Sequence, residues 1–201
     1  AFATPANGLA VVRLIVNDRV GNVREYFLDS RNRLVAEADF TGRADPHQPT
    51  TPTANRPTGR VRASDPPLFR TRWTYDADSL PTSVTSPNGG TTQFTWQSAI
   101  DPLARRRTRG NLRSVTRLPG LLGGDQASLV EQFEYAHSPG TTAGLSFPTR
   151  TVDARGHETL HTYDARGNRV RTVHRLASIV EGWAYDASGL LTRHDWGRKG
   201  A

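Results

Sequence analysis

The sequence predicts an all-β protein, an antiparallel meander of hairpins. Three observations carry that reading: a recurring Tyr-Asp-x-x-Gly spelling, period-two alternation around it, and hardly any segment that calls for a helix. Tyr163-Asp164-Ala165-Arg166-Gly167-Asn168 returns as Tyr185-Asp186-Ala187-Ser188-Gly189-Leu190, with the aspartates 22 residues apart. Asp153-Ala154-Arg155-Gly156 stands 11 residues before Asp164, half that period. Looser copies lie at Tyr75-Asp76-Ala77-Asp78-Ser79-Leu80 and at Tyr26-Phe27-Leu28-Asp29-Ser30-Arg31-Asn32, and Ser86-Pro87-Asn88-Gly89-Gly90 takes the half-period place after Asp76. Gly110-Asn111-Leu112 reads as the second half of a copy and Phe133-Glu134-Tyr135 as the first half of one.

The spelling has a physical reason. An aspartate opening a tight turn accepts hydrogen bonds from backbone N–H groups further round it, and a glycine three residues on takes positive φ without steric strain. This is a type I turn closed by a left-handed residue, a common hairpin connection. The expected turn residues are therefore Asp29, Asn32, Asp76, Asp153, Gly156, Asp164, Gly167, Asp186 and Gly189. Asn32 substitutes for glycine because asparagine also visits that conformation, whereas Ser79 does so less well.

On the strands before the turns, aromatics recur two residues apart: Trp73 and Tyr75, Phe133 and Tyr135, Trp183 and Tyr185, with His161 beside Tyr163, and Tyr26 ahead of Asp29. Period two places each pair on one face, and stacking strand on strand predicts a continuous aromatic layer opposite a face of Arg, Thr, Glu and His. Two segments interrupt the pattern. Residues 41–69 hold six of the thirteen prolines and few large apolar residues, which predicts a surface excursion without a core of its own. Residues 118–126, with Pro119-Gly120 and Gly123-Gly124, predict a glycine-rich connector. Gln126 to Gln132 reads equally as a short helix or a strand.

With 35% hydrophobic residues and a mean hydropathy of −0.58, the 201 residues suit a sheet buried on one side better than a thick globule. There is no cysteine, which removes disulfides and thiolate metal sites. No apolar run approaches the roughly 18 residues of a membrane helix. The start at Ala1-Phe2-Ala3-Thr4, without Met or a signal pattern, predicts a processed or excised portion. The net charge of +7 is almost wholly arginine, since Lys199 is the only lysine. Those arginines are scattered, and the one cluster, Arg105-Arg106-Arg107 with Arg109, lacks the interleaved aromatics that stack on bases, so nucleic acid is not an expected partner.

Together, Tyr-Asp-x-x-Gly-Asn at 163–168, Tyr-Asp-x-x-Gly-Leu at 185–190 and the half-period turns Gly156-His157-Glu158-Thr159 and Pro87-Asn88-Gly89-Gly90-Thr91-Thr92 resemble the RHS/YD-repeat family. That family includes bacterial rearrangement-hotspot proteins, shell components of insecticidal toxin complexes and animal teneurins. The resemblance is clear over 150–195, recognisable over 20–40 and 70–117, and fails over 41–69. It implies a β-ribbon spiralling into a hollow shell that in bacterial members encloses a C-terminal toxin. Residues 1–201 are then one internal stretch of repeats, an arc or part of such a shell, secreted or at the cell surface. Its partners are flanking repeats and an encapsulated polypeptide, with self-association through open strand edges and neither cofactor nor catalytic residues. Bacterial members end the shell with an Asp-Pro-x-Gly-Leu autocleavage segment. This sequence departs from that, since none of Asp45-Pro46, Asp65-Pro66 and Asp101-Pro102 continues so, and Asp186-Ala187-Ser188-Gly189-Leu190 lacks the proline.

Chemistry-bearing motifs compete with plainer readings. His157-Glu158-Thr159-Leu160-His161 matches the His-Glu-x-x-His zinc-protease signature, which works only on a helix, where residues four apart share a face. The motif here sits between two turns, and on a strand its histidines stand about 13 Å apart. The repeat aspartates lack the density of oxygen ligands that calcium demands. His47, His137, His174 and His194 show no spacing that gathers them on one face with a carboxylate, and no serine elbow or phosphate-cradling loop occurs. A structural scaffold is thus the first functional reading. An extracellular module binding glycans or a cell surface through Trp96 or Trp196 is the second, and a zinc protease the third.

Overall fold

The structure, a computed structural model, describes residues 9–97, 110–121, 124–135, 146–176 and 179–197. Ala1 to Thr4, Asp101-Pro102, the arginine cluster at 105–109, His137 and Lys199 lie outside them. Among the described residues there are thirteen strands and no helix. They are β1 Val12–Asn17, β2 Asn22–Leu28, β3 Leu34–Arg43, β4 Leu68–Tyr75, β5 Pro81–Thr85, β6 Thr91–Trp96, β7 Leu112–Leu118, β8 Leu129–Glu134, β9 Arg150–Val152, β10 Glu158–Tyr163, β11 Arg169–Val173, β12 Val180–Tyr185 and β13 Leu191–Asp195. They form one open sheet in sequence order, an antiparallel meander. The ambiguous stretch 126–132 runs into β8, a strand.

Among the described residues, seven connections share one backbone pattern. In each, the leading residue donates its N–H to the carbonyl four residues on, and its own carbonyl accepts from the residue three on. The leaders are Asp18, Asp29, Asp76, Ser86, Asp153, Asp164 and Asp186, and the closing residues Gly21, Asn32, Ser79, Gly89, Gly156, Gly167 and Gly189 all have positive φ. After β2, β4, β10 and β12 the ladder also slips by one residue just before the turn, at Phe27/Leu28, Thr74/Tyr75, Thr162/Tyr163 and Ala184/Tyr185. Such a bulge accompanies a type I turn closed by a left-handed residue and lets the twisted strands meet.

The chain divides into two compact units, residues 1–92 with 118–126, and residues 93–117 with 127–201. In the first, Ala10, Phe27, Val35, Ala36 and Ala38 form a buried cluster against which Leu68 and Tyr75 pack. The proline-rich excursion is shorter than 41–69, because β3 extends through Arg43 and β4 begins at Leu68. Its loop is nonetheless ordered by hydrogen bonds. The Asn55 side chain donates to the Asp45 and Gln48 carbonyls (2.8 Å each) and accepts from the Asp45 N–H (2.9 Å), while Asn17 donates to the Asp45 carbonyl (2.9 Å). The loop also returns onto β3: the Val61 N–H reaches the Thr41 carbonyl at 3.0 Å, and a Cβ on Gly42 would lie 2.0 Å from the Gly59 carbonyl oxygen, so only glycine admits the approach. In the connector, the Leu121 N–H bonds the Asn88 carbonyl at 2.9 Å.

The second unit has few buried side chains. Among the described residues only Val115, Asn111 and Thr172 reach that class there, and Leu129, Leu160, Ile179, Leu190, Leu191 and Trp196 are exposed.

Candidate functional site

Among the described residues, six aspartates cap their own turns in the same way. Each uses Oδ1 to accept the N–H groups two and four residues on: Asp18 from Val20 and Asn22, Asp29 from Arg31 and Arg33, Asp76 from Asp78 and Leu80, Asp153 from Arg155 and His157, Asp164 from Arg166 and Asn168, and Asp186 from Ser188 and Leu190, all at 2.8 to 3.0 Å. In four of them Oδ2 takes a further bond from the side chain four residues on, namely Asn22, Arg33, His157 or Asn168. Hydrogen bonds to the ionised form hold a carboxyl below its ordinary range. The Asn168 side chain does this for Asp164, the Asn22 side chain for Asp18 and the His157 N–H for Asp153; Asp29 is also lowered, the bonds from Arg33 and Arg31 outweighing its burial.

Sequence reading overlooked Asp18 and Gly21, although Asp18-Arg19-Val20-Gly21-Asn22 carries the same Asp-x-x-Gly-Asn spelling as Asp164 to Asn168. It also overlooked the donor four residues after the aspartate. That position is visible in sequence as the Asn, Arg or His following the left-handed residue.

Neighbouring turns are joined along the edge of the sheet. Within the first unit, Arg31 donates to the Ala77 carbonyl (2.6 Å), and Arg33 to the Asp76 carbonyl (3.0 Å) while lying 4.8 Å over the Tyr75 ring. Within the second, Arg166 donates to the Ala187 carbonyl. Arg31 and Arg166 occupy the same turn position, and Ala77 and Ala187 another, so one contact recurs between successive turns. The tyrosines add a second link. Tyr75 donates to the Leu34 carbonyl (2.8 Å), Tyr163 to Pro148 (3.0 Å) and Tyr185 to Arg169 (3.0 Å), each reaching a carbonyl at or before the start of an earlier strand.

Tyr26 is placed differently. Leu28 immediately precedes Asp29, and Tyr26 stands opposite Leu14 on β1 and Glu37 on β3. Trp73 pairs with Val84, and Phe133 with Thr151, while Tyr135 follows β8 with its hydroxyl pKa raised by burial. Among the described residues the ring contacts do not run on from strand to strand as one layer. Ring contacts are local, joining Phe94 to Trp96 (6.4 Å), Phe147 to Tyr163 (5.3 Å), Trp183 to His194 (5.0 Å) and His194 to Trp196 (4.5 Å). Elsewhere arginine lies over the rings, as Arg169 over Trp183 at 4.3 Å and Arg56 over Phe40 at 4.5 Å. After β4, β10 and β12 the bulge falls between the two residues of the expected pair and breaks the period-two continuity a layer requires, and guanidinium planes stack on the Tyr75, Trp183 and Phe40 rings.

The His-Glu-x-x-His stretch is spread along an edge and a strand. His157 lies in the turn with Nδ1 3.0 Å from Asp153 Oδ2, Glu158 opens β10 and pairs with Arg150, and His161 Nδ1 lies 3.2 Å from Thr172 Oγ1. Burial, with Arg169 and His174 nearby, lowers the His161 pKa. Among the described residues no group of three His, Asp or Glu side chains forms a metal cage.

Two other histidines do converge on a carboxylate, against the sequence expectation. Glu181 on β12 has Oε1 2.7 Å from His174 Nε2 and Oε2 3.4 Å from His194 Nε2, and the His174 contact leads the lowering of its pKa. The three residues are distant in sequence and meet because β11, β12 and β13 lie side by side. His194 thereby stacks on Trp183 and meets Trp196 at a tilt, the latter 77% exposed, whereas Trp96 is half-buried beside Phe94.

No family model and no curated protein matches the chain. Solved structures do. A crystal structure titled TcdB2-TccC3-TEV aligns with a TM-score of 0.57 at 14% identity, covering 90% of this chain and 8% of the other. TcdB2-TccC3 without its hypervariable C-terminal region gives 0.55 at 15%, covering 88% and 8%. A Tc holotoxin pore of Photorhabdus luminescens gives 0.55 at 14%, with the same coverage of 88% and 8%. The chain spans less than a tenth of the chains it matches, and at these identities the likeness is one of fold.

Proposed function

We propose that this chain is a structural segment of an RHS-type shell, acting outside the cell to enclose or present another polypeptide, a toxin domain being the kind of cargo the resemblance implies. The observation that carries the reading is the staple between successive turns, Arg31 to Ala77 and Arg166 to Ala187. It locks hairpin to hairpin, which is what a wall needs. Residues 1–201 are one internal stretch, with β1 and β13, the first and last strands of the sheet order, offered to flanking repeats or a further copy. The reading assigns no reaction, cofactor, nucleic acid or membrane span to the chain.

The test is to express the chain within its whole reading frame and follow proteolysis of the polypeptide encoded beside it. Further Tyr-Asp-x-x-Gly repeats in the frame and slow cleavage of that polypeptide, relative to its free form, are expected. A frame without more repeats, or cleavage at the free rate, would overturn the shell reading. Exposed Trp196 beside His194 favours a second reading, a glycan-binding face. Glycan-array binding lost in Trp196→Ala would move the assignment there.

A further inference from the structure

The strand register lays out one sheet face of the first unit as two rows. Arg13, Phe27, Ala36, Arg72 and Thr85 face one another across β1 to β5, and Ile15, Glu25, Ala38 and Arg70 form the row beside it. Glu25 is only 3% exposed, and its carboxylate is shared by Arg13 at 3.9 Å and by Arg56, which reaches it from the excursion. Four guanidiniums, those of Arg13, Arg56, Arg70 and Arg72, thus accompany a single acid. The neighbouring acids Glu37 and Asp39 lie in the opposite register, where Arg24 engages both.

Arg70 and Arg72 are the two left over. Among the described residues no carboxylate comes within ion-pair distance of either. The Nε of each is buried and has no hydrogen-bond acceptor. A buried N–H without an acceptor forfeits its hydration, so the pair stays under-bonded. Their strand partners Ala36 and Ala38 bring only methyl groups to the face. Two residues apart on a strand, the pair stands about 7 Å apart with both forks on one side. Each fork fits a carboxylate through two parallel hydrogen bonds.

We infer that Arg70 and Arg72 form a docking site for an extended polypeptide segment carrying two acidic side chains two residues apart. An extended segment repeats its side chains at that same spacing, so both forks are filled at once. The inference deepens the shell reading by giving the presented polypeptide a chemistry, and it rests on that reading for its biological sense. Binding in trans tests it separately from cargo protection.

The experiment titrates the full chain into a fluorescent peptide containing Glu-Thr-Glu, with Gln-Thr-Gln as its neutral counterpart and inorganic phosphate as competitor, and reads anisotropy. Binding of the acidic peptide alone is expected, weakened about tenfold by each of Arg70→Gln and Arg72→Gln, the loss of one charge-assisted pair. Arg70→Lys, which keeps charge without the fork, should fall in between, and Arg171→Gln, which removes the same charge from β11, should bind as the parent does. Circular dichroism establishes that each variant remains folded, and Arg70→Lys is the fallback for a glutamine variant that does not. Equal binding of the neutral peptide, or undiminished binding by the folded double glutamine variant, would overturn the site. Displacement by phosphate at concentrations equal to the peptide would overturn the polypeptide assignment in favour of a free oxyanion.

Discussion

The region β1 to β4 and the region β9 to β13 use the same Asp-led hairpin but are held together differently. In the first, Phe27, Val35, Ala36 and Ala38 are buried and an irregular loop folds back over the strands. In the second, the repeat spelling is cleanest, at Asp153, Asp164 and Asp186, yet hardly a large side chain is buried. Regular turns specify the path of the chain, while burial comes from whatever covers a face. The hairpin alone supplies hydrogen bonds and ring contacts, which stabilise modestly, and hydrophobic burial is the larger reservoir.

Paired truncations give the largest expected effect. Phe27→Ala, at a site only 2% exposed, should cost about 3–5 kcal/mol in chemical denaturation, whereas Leu191→Ala, exposed on β13, should change stability by no more than about 0.5 kcal/mol. Similar losses at both sites would dissolve the distinction. Next comes Gly167→Val, expected to destabilise by about 1–3 kcal/mol. Gly167 has φ of 90° and a Cβ there would meet the Phe147 ring at 3.0 Å, so unchanged stability would contradict the turn geometry.

Ser79→Gly reverses the sign in the other region. Ser79 holds φ of 67° against its preference, and glycine should gain about 1 kcal/mol; a loss would mean that its hydroxyl contact with Arg33 matters more than the backbone. The smallest effect is acid sensitivity, common to both regions. The carboxyls of Asp18, Asp29, Asp153 and Asp164 are held below their ordinary 3.8 in the folded chain. The stability they contribute is therefore complete above that value and lost as pH falls below it through their folded values. Carboxyl NMR titrations should give midpoints under 3.8 for these four, and a midpoint above it at any one would show its turn bonds to be absent.

The meander was legible because its signals are local. A Gly or Asn three residues after an Asp, flanked by alternating residues, is complete within about ten residues of sequence. Asp18 escaped although its signal is just as local, since the aspartate and the left-handed residue suffice without a tyrosine. The convergence of His174 and His194 on Glu181 was hidden for another reason: it depends on the register of three strands, which no spacing within one strand encodes. The covered face escaped because its occupants, Arg56 above all, come from a segment with no periodicity. The arginines are scattered in sequence, yet guanidiniums stack on Phe40, Tyr75 and Trp183 and bridge successive turns.

In each unit the tyrosine-marked turns follow even-numbered strands, β4 in one, β10 and β12 in the other, and the unmarked Asp18, Ser86 and Asp153 turns follow odd-numbered ones. The heritable module is accordingly the hairpin and not the strand. Duplicating 22 residues, the distance from Asp164 to Asp186, adds one hairpin to the sheet and leaves the strand direction downstream unchanged. Gaining or losing a single strand of half that length reverses the direction of everything downstream and carries each marked turn to the opposite margin. Genetic growth of such a chain is thereby quantised in pairs.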